Sequence, residues 1–581
     1  MGRGSQSSFM PHFHLILIKA SHYDDDGYVI QWKRSAIPSN SLAVLHGLAM
    51  DCAQRNILGE QVKIDVEAFD ETNTVIPIQK IIKTIGAGTG GLVGIVGVQS
   101  NQFPRATDIG RQFLRAGIPV AIGGFHVSGC FAMLSQYPAD IQQAINEGFT
   151  LVAGEAEGHL EEILLDAFRK TLKSVYNFMS DFPSLQGGPL PFLPVSVVQK
   201  TFRRMSSFDA GRGCPFQCSF CTIINVQGRT SRWRSPEDIE RIIRANLQQG
   251  VWRFLISDDD FARNRQWEPI LDRIIHMREQ EGHRISLTIQ VDTLCHKIPG
   301  FIEKAYRAGC HNIFIGLETL NPVSLTGAKK RQNRIQEYRT MLQAWKKYGC
   351  TTVAGYIIGF PQDSVSSVAR DIEILKNELP VDLVEFFILT PLPGSDDHLQ
   401  LVKEGEWMDP DMNLYDLEHP TTHHPRMTAA EWSYTYRQAW KEYYSWEHME
   451  VVMRRAVATG QPVEKLMFFL LCFHGCSLVE GIHPLEGGIF RRKRRLSRRP
   501  SFPLESPLIF YPRRMWEVVR SVFRWFNIGW KLNRLRKVIE RNPSKLEYSD
   551  LAISHTGTEG GEDFDLYRTY DPFLRKGENN L

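Results

Sequence analysis

Short apolar runs separated by stretches of helical periodicity dominate the chain from about residue 12 to about residue 170. The runs are His14–Lys19, Lys63–Phe69, Leu92–Val98, Pro119–Gly123 and Thr150–Ala153. Strand and helix in alternation predict an open α/β sheet, because consecutive strands close most readily as parallel βαβ units. Glycine follows several runs, at Gly123-Gly124 and at Gly154, where a doubly wound sheet turns at the carboxyl ends of its strands and holds its ligand. Gln186–Pro194 is rich in Gly and Pro, lacks periodicity, and reads as a linker.

A second βα series follows, with strands expected at Met205–Asp209, Trp252–Ser257, Ile285–Val291, Asn312–Leu317, Thr351–Ile358 and Leu383–Leu389. Ser235-Pro236-Glu237-Asp238 opens its first long helix, with Ser235 as N-cap, Pro236 in the first turn and acid at the positive end of the dipole. Six βα repeats predict a partial barrel, whose chemistry belongs on loops at the carboxyl ends of the strands. Beyond about 400 the pattern changes to aromatic-rich helices, Thr428–Trp446 and Trp516–Arg541, interrupted by the basic run Arg491-Arg492-Lys493-Arg494-Arg495. The chain is thus expected to divide into an α/β domain at 12–185, a (βα)6 TIM-like partial barrel at 200–400 and a mainly helical region at 401–553. A polar, Gly-rich and poorly ordered tail is expected at 554–581.

Composition narrows the function. A hydrophobic fraction of 43% and a charged fraction of 23% are those of a globular chain, and a net charge of +3 is too small to call for a nucleic-acid partner. No apolar run reaches the ~20 residues of a bilayer span, and Gly91–Val98 and Met467–Phe473 read as buried elements. The first twenty residues hold an apolar stretch broken by His14 and no small-residue cleavage pattern, so a cytoplasmic location is expected. Ten cysteines are scattered, but three fall within eight positions, which suits metal ligation in a reducing compartment.

Those three are Cys214, Cys218 and Cys221, in a CxxxCxxC arrangement. Three thiolates on one short loop can hold three irons of a cubane and leave the fourth open to an exogenous chelator. A zinc site is the alternative, and it needs a fourth protein ligand that no nearby Cys or His supplies. Gly211-Arg212-Gly213-Cys214-Pro215-Phe216-Gln217-Cys218-Ser219-Phe220-Cys221 resembles the signature of the radical S-adenosylmethionine (SAM) superfamily, and the resemblance extends over roughly 200–400. It implies a [4Fe-4S] cluster on the three cysteines, SAM on the open iron beside Phe220, and a reducing donor such as flavodoxin or ferredoxin. Ser257-Asp258-Asp259-Asp260-Phe261 resembles the family's acidic turn, which implies Asp258 and Asp259 near the SAM amino group. Gly316-Leu317-Glu318 resembles the segment near the ribose and implies Glu318. Gly359-Phe360-Pro361 and Pro391-Leu392-Pro393-Gly394 resemble turns closing over adenine, which implies Gly359, Pro361, Pro391 and Gly394. As isolated peptides these turns are also ordinary turn chemistry.

Val98-Gln99-Ser100-Asn101, Gly123-Gly124-Phe125-His126 and Val152-Ala153-Gly154-Glu155 resemble a Rossmann-like, flavodoxin-type cobalamin (B12)-binding domain that precedes the barrel in one large subfamily. The resemblance implies Ser100, Gly123, Gly124, Gly154 and Glu155 as corrinoid-binding positions. The Asp-x-His-x-x-Gly motif of many such domains is missing; Ser21-His22-Tyr23-Asp24-Asp25-Asp26-Gly27 stands there instead. His22 and His126 are therefore not assigned to cobalt, and His126 reads as a hydrogen-bonding turn residue.

With both cofactors the resemblance implies methylation of an unactivated carbon. SAM methylates the corrinoid, a second SAM yields the 5′-deoxyadenosyl radical, and that radical takes a substrate hydrogen. Rearrangement, cyclisation or oxidation with the same cofactors is the alternative among enzymes, and a non-catalytic cluster- or corrinoid-binding sensor the alternative outside them. Transfer RNA methylthiolation is disfavoured, since only Cys52 and Cys130 precede the barrel. No catalytic acid or base is assigned. The substrate is expected to be a small or lipid-like molecule chosen by the C-terminal region. There Trp516, Val519, Phe523, Phe526 and Trp530 recur at three- and four-residue spacing among Arg and Lys, and Leu532 and Leu535 leave that stripe. Packing of this helix on the barrel is the expectation, and a peripheral membrane contact is the second reading. Phe490–Arg499 reads as a solvated basic face, or as one meeting an acidic substrate or phospholipid. His423-His424, His474 and His483 show no metal-ligand spacing.

Overall fold

The computed structural model describes residues 11–554 and 564–568. In chain order the first strands are β1 His12–Lys19, β2 Gln31–Ser35, β3 Lys63–Asp70, β4 Gly90–Ile95, β5 Val120–Gly123, β6 Thr150–Ala153 and β7 Val175–Asn177. β1 reads HFHLILIK and is buried along nearly its whole length, as a parallel strand covered on both faces must be. The sheet runs β3-β1-β4-β5-β6-β7, every pair parallel. The chain steps outward from β1 to β3 and returns on the other side at β4, so strand order reverses between β1 and β4. Such a reversal opens a crevice at the carboxyl ends of the two strands. Leu15, Leu17 and Leu92 face one core, and Ile16, Ile18, Val93 and Ile95 face the other.

The second series contains β8 Met205–Phe208, the two-residue strands β9 Gly211–Arg212 and β10 Arg232–Trp233, then β11 Arg253–Ile256, β12 Ser286–Val291, β13 Cys310–Glu318, β14 Thr351–Ile358 and β15 Leu383–Ile388. Six of these form a parallel sheet in strict chain order, from β8 through β11 to β15. Unidirectional right-handed crossovers put all the connecting helices on one side. Accordingly Ile256, Ile289, Ile315, Tyr356 and Phe386 are sealed in the core, while the opposite face carries Thr288, Gln290, Asn312, Phe314 and Glu385. The first long helix, Pro236–Gln248, begins as its sequence predicts: Ser235 Oγ accepts from Asp238 N, and the Asp238 carboxylate accepts from Ser235 N.

The C-terminal region departs further from expectation. Thr428–Trp446 is two helices, Ala429–Tyr443 and Trp446–Ala458, because Ser445 caps the second. The last long helix starts at Pro507 and runs to Arg541. β16, Gly488–Arg492, pairs antiparallel with β2 in a separate two-stranded sheet, so the C-terminal region returns to a segment near the start of the chain. Gln186–Pro194 has no regular structure, yet it is not slack: Phe192 N donates to Ala43 O. A Cβ at Gly47 would lie 2.0 Å from Leu190 O. Of the segment 554–581, Phe564 and Leu566 are buried and Asp565–Arg568 is a helical turn; apart from Ser554, the rest of that expected tail lies outside the described residues. Among the described residues no helix is long and apolar enough to cross a membrane.

Candidate active site

β9 and β10 pair as Arg212↔Arg232 and Gly211↔Trp233 and form the neck of the cysteine loop. Gly213 has φ +87°, and a Cβ there would meet Thr230 O at 2.6 Å, so only glycine fits this neck. The loop is tied internally by Cys214 N to Gly228 O at 3.2 Å and Cys221 N to Cys218 O at 3.1 Å, and externally by Ser219 N to Ala328 O at 3.0 Å. All three thiols are free; Cys218 is buried, and Cys214 and Cys221 are half-buried. Burial pushes both Cys214 and Cys221 up to about 12. Gln332 Nε2 donates to Cys218 Sγ at 3.4 Å. Among the described residues no three His, Cys, Asp or Glu side chains gather tightly enough for a single metal ion. A cubane, whose three ligands bind three different irons, does not require that convergence.

The residues expected around the loop separate into two groups. Asp258 accepts at both oxygens: its Oδ1 from Ala210 N and Gly211 N at 2.7 and 2.8 Å, and its Oδ2 from Asn264 Nδ2 at 3.0 Å. It holds the neck of the cysteine loop. Asp259 is half-buried and, among the described residues, forms no ion pair; burial, then the neighbouring Asp258, pushes it up to about 7. Glu318 sits at a register shift between β13 and β14 with φ +66°. It pairs with Lys330, whose Nζ lies 5.7 Å from the Phe220 ring centroid. Asn333 Nδ2 fixes that bulge by donating to Gly316 O and Leu317 O at 2.9 and 2.8 Å.

Gly359, Pro361 and Pro391 line one cavity of about 330 Å³ together with Ser219, Phe360 and Trp432. Phe220 meets it through Phe360, the ring centroids 6.1 Å apart. Gly359, at φ +116°, must be glycine because a Cβ would lie 2.0 Å from the Trp432 ring. Gly394 is elsewhere: its φ is +102°, and a Cβ would lie 2.9 Å from Gly129 Cα, so it is a contact with the helix Phe125–Met133 that follows β5. Lys330, Gln332 and Asn333 had no signal in the sequence, since a polar turn offers no periodicity. Glu385 did have one, a lone acid within the apolar strand LVEFFI. Among the described residues its Oε2 has no hydrogen-bond partner, and burial pushes the carboxyl up to about 8.

At the carboxyl edge of the first sheet lies a slot of about 180 Å³, between β1, β4, β5 and β6 and the helices Asn40–Gln54 and Leu160–Arg169. Gly123, Gly124, Gly154 and Glu155 line it, as do Gly94, Ala121 and Ser128, which were not anticipated. Ser100 does not: it is buried, with its Oγ 3.1 Å from His126 Nδ1, and His126 Nε2 lies 2.8 Å from Asp140. Gly124 and Gly154 are needed for their own chain path, since a Cβ would meet Val98 N at 2.1 Å and Phe178 C at 2.7 Å. The small residues that leave open space along the sheet are Gly94 and Ala121.

The slot and the cysteine loop share a wall. Arg212, two residues before Cys214, lines the slot with Val226 and Gln227. Its guanidinium binds Glu155 at 2.7 Å, Glu157 at 2.6 Å and Asp209 at 2.9 Å. Arg232 also pairs with Glu155, and Arg234 with Asp209 at 3.2 Å. Against burial, which would raise it, Arg212 holds the Glu157 carboxyl below the usual range. Glu155 is therefore occupied by two arginines of the second sheet's loop.

Residues 210–375 match the family described as the radical SAM superfamily. The chain is 30% identical over 323 residues to the bacteriochlorophyllide d C-12(1)-methyltransferase of Chlorobaculum tepidum, a match covering 54% of this chain and 65% of that protein. It is 25% identical over 315 residues to the hopanoid C-2 methylase of Rhodopseudomonas palustris, covering 53% of this chain and 57% of that protein. The chain thus spans less than two thirds of either relative's length. The solved structure of the cobalamin-dependent S-adenosylmethionine radical enzyme OxsB, with aqua-cobalamin and S-adenosylmethionine bound, shares the fold. Its TM-score is 0.52 at 14% identity, over 99% of this chain and 84% of that one.

Proposed function

We propose, from the premise that residues 210–375 belong to the radical SAM superfamily, that this chain is a cobalamin-dependent radical SAM methyltransferase acting on an unactivated carbon. The observation that carries the reading is the common wall: Arg212 belongs to both the cysteine loop and the slot. A radical source and a methyl donor must meet one substrate, and a shared wall supports that proximity. In this reading 12–185 is a flavodoxin-type cobalamin domain, 200–400 a partial (βα)6 barrel and 401–553 a helical region that selects a small or lipid-like substrate. A low-potential donor such as flavodoxin or ferredoxin supplies electrons.

The residues fit the groups they are asked to hold. Cys214, Cys218 and Cys221 are free and lie on one loop, with Gln332 donating to Cys218; they would carry the [4Fe-4S] cluster. Asp259, whose turn neighbours Asp258 and Asp260 accept from the loop neck and from Asp292 N, would meet the SAM amino group. Glu318 with Lys330 would meet the ribose. Phe220, Gly359, Pro361 and Pro391 would bound the adenine. The slot lined by Gly94 and Ala121 would take the nucleotide tail of the corrinoid, with Gly123, Gly124 and Gly154 at its rim. When bound, the cluster and SAM supply a carbon radical and the corrinoid supplies the methyl group. The chain's part is to orient them, exclude water and keep Glu385 protonated in an apolar setting.

The test is anaerobic reconstitution with iron, sulfide, cobalamin, dithionite and SAM, scoring 5′-deoxyadenosine and S-adenosylhomocysteine. Both are expected, and Cys218→Ala should abolish the first. Cluster and SAM binding without cleavage would move the reading to a sensor. Cleavage without S-adenosylhomocysteine, in the presence of bound cobalamin, would move it to rearrangement, cyclisation or oxidation.

A further inference from the structure

The helix Pro507–Arg541 has two apolar faces. One is packed: Phe510, Ile528, Leu532 and Ile539 are buried, the helix lying against Val463–Gly475 and Trp446–Ala458. The other carries the stripe predicted to pack on the barrel, and it does not pack. Trp516 is 65% exposed, Phe523 70%, Phe526 71% and Trp530 52%. At about 100° per residue, Met515, Val519, Phe523, Phe526 and Trp530 fall within an arc of roughly 80°, opposite the buried row. The register slip after Gly529 is the change from one face to the other: Leu532 belongs to the packed row.

Cations flank this stripe. Arg513, Arg520, Arg524 and Lys531 are exposed and lie along one side of it. Below them a pocket of about 210 Å³ beside Trp516 is lined by five cations, Arg491, Lys493, Arg514, Arg520 and Arg524, against two acids, Glu480 and Glu517. Arg491 and Lys493 are paired with Asp24, and Arg514 with Glu517. Among the described residues Arg520 and Arg524 form no ion pair. An adjoining apolar groove of about 300 Å³, walled by Phe468, Leu471, Val518, Val522 and Trp525, shares Arg491 and Arg514 with the cationic pocket.

We propose that this surface seats the protein on an anionic phospholipid bilayer. The aromatic stripe enters the acyl boundary, and Arg520 and Arg524 meet lipid phosphates. Exposed aromatics are costly in water but favourable at a membrane interface, and a cationic flank is the complement of anionic headgroups. A bilayer matches both halves of the surface at once. The inference is independent of the reaction proposed above and fails or stands separately from it.

The test is co-sedimentation of the full chain with vesicles of phosphatidylcholine alone and of phosphatidylcholine with phosphatidylglycerol. The expected result is binding to the anionic vesicles, weaker by about tenfold or more on the neutral ones and at high salt. Phe523→Asp with Phe526→Asp should lower binding about tenfold or more with little change in the circular dichroism melt, because both residues are largely exposed. Arg520→Glu with Arg524→Glu should abolish the preference for anionic vesicles. No vesicle binding by the wild type, or binding that ignores both pairs of substitutions, overturns the proposal. So does a dimer in sedimentation velocity that the Phe→Asp pair dissolves while vesicle binding is absent, since a second copy would then be the occupant.

Discussion

Both six-stranded sheets are parallel and built from the same βα unit, yet they leave space in different places. In the first, strand order reverses between β1 and β4, helices cover both faces, and a slot lies at the carboxyl edge, lined by Gly94 and Ala121. In the second, strands follow chain order, so one face takes all the helices and the other keeps Thr288, Gln290, Asn312 and an unpaired Glu385. Two arrays with similar strand composition thus differ in where a ligand can sit because they differ in where, or whether, the order reverses. Arg212 joins the two solutions by pinning acids of the first sheet to the loop of the second.

The comparison can be broken most sharply at the cysteine loop. Cys218→Ala is expected to reduce 5′-deoxyadenosine formation to background, a loss of about 10³-fold or more, while leaving cobalamin retention unchanged by absorbance after gel filtration. Filling the slot tests the other side. Ala121→Leu should weaken cobalamin retention about a hundredfold yet preserve SAM cleavage by the cluster. A parallel loss of both activities would show that the two spaces are not separable.

Arg212→Gln attacks the link. It leaves Glu155, Glu157 and Asp209 buried with one cation fewer, and should cost about 3–5 kcal/mol in a denaturant titration. The narrowest effect, confined to one side of the pH range, belongs to Glu385. Its folded carboxyl titrates near 8 against an ordinary 4.5, so the folded state binds the proton more tightly than the unfolded chain. Stability should therefore be highest below about pH 4.5 from this group and fall as pH rises toward 8. Glu385→Gln should remove that decline, worth on the order of 5 kcal/mol at alkaline pH, read from melts across the range.

Much of the fold was legible because it is local. Thr150–Ala153 and Thr351–Ile358 have the bounds their apolar runs announce, and Ser235 caps its helix by chemistry contained in four residues. The candidate site was legible only in part. Gly359, Pro361 and Pro391 do share a cavity, but Asp258 accepts from the backbone at the neck of the cysteine loop, Ser100 meets His126, and Gly394 packs on Gly129. In each case a residue of suitable type was satisfied by a neighbour distant in sequence. The aromatic stripe shows the same limit: its period announces an apolar face, and only the packing of Phe510, Ile528 and Leu532 shows that the protein had a second face to bury instead.

The sequence by itself determined the cysteine spacing, the strand runs and the caps, since these depend on residues within a turn or two of one another. The tertiary structure alone decided that β16 returns to β2, that Lys330 stands between Glu318 and Phe220, and that Arg212 closes a wall between two sheets. Those outcomes rest on burial and on pairing across long stretches of chain. A charged side chain takes its partner from whatever the fold brings within reach when water is removed, and no local pattern records that choice.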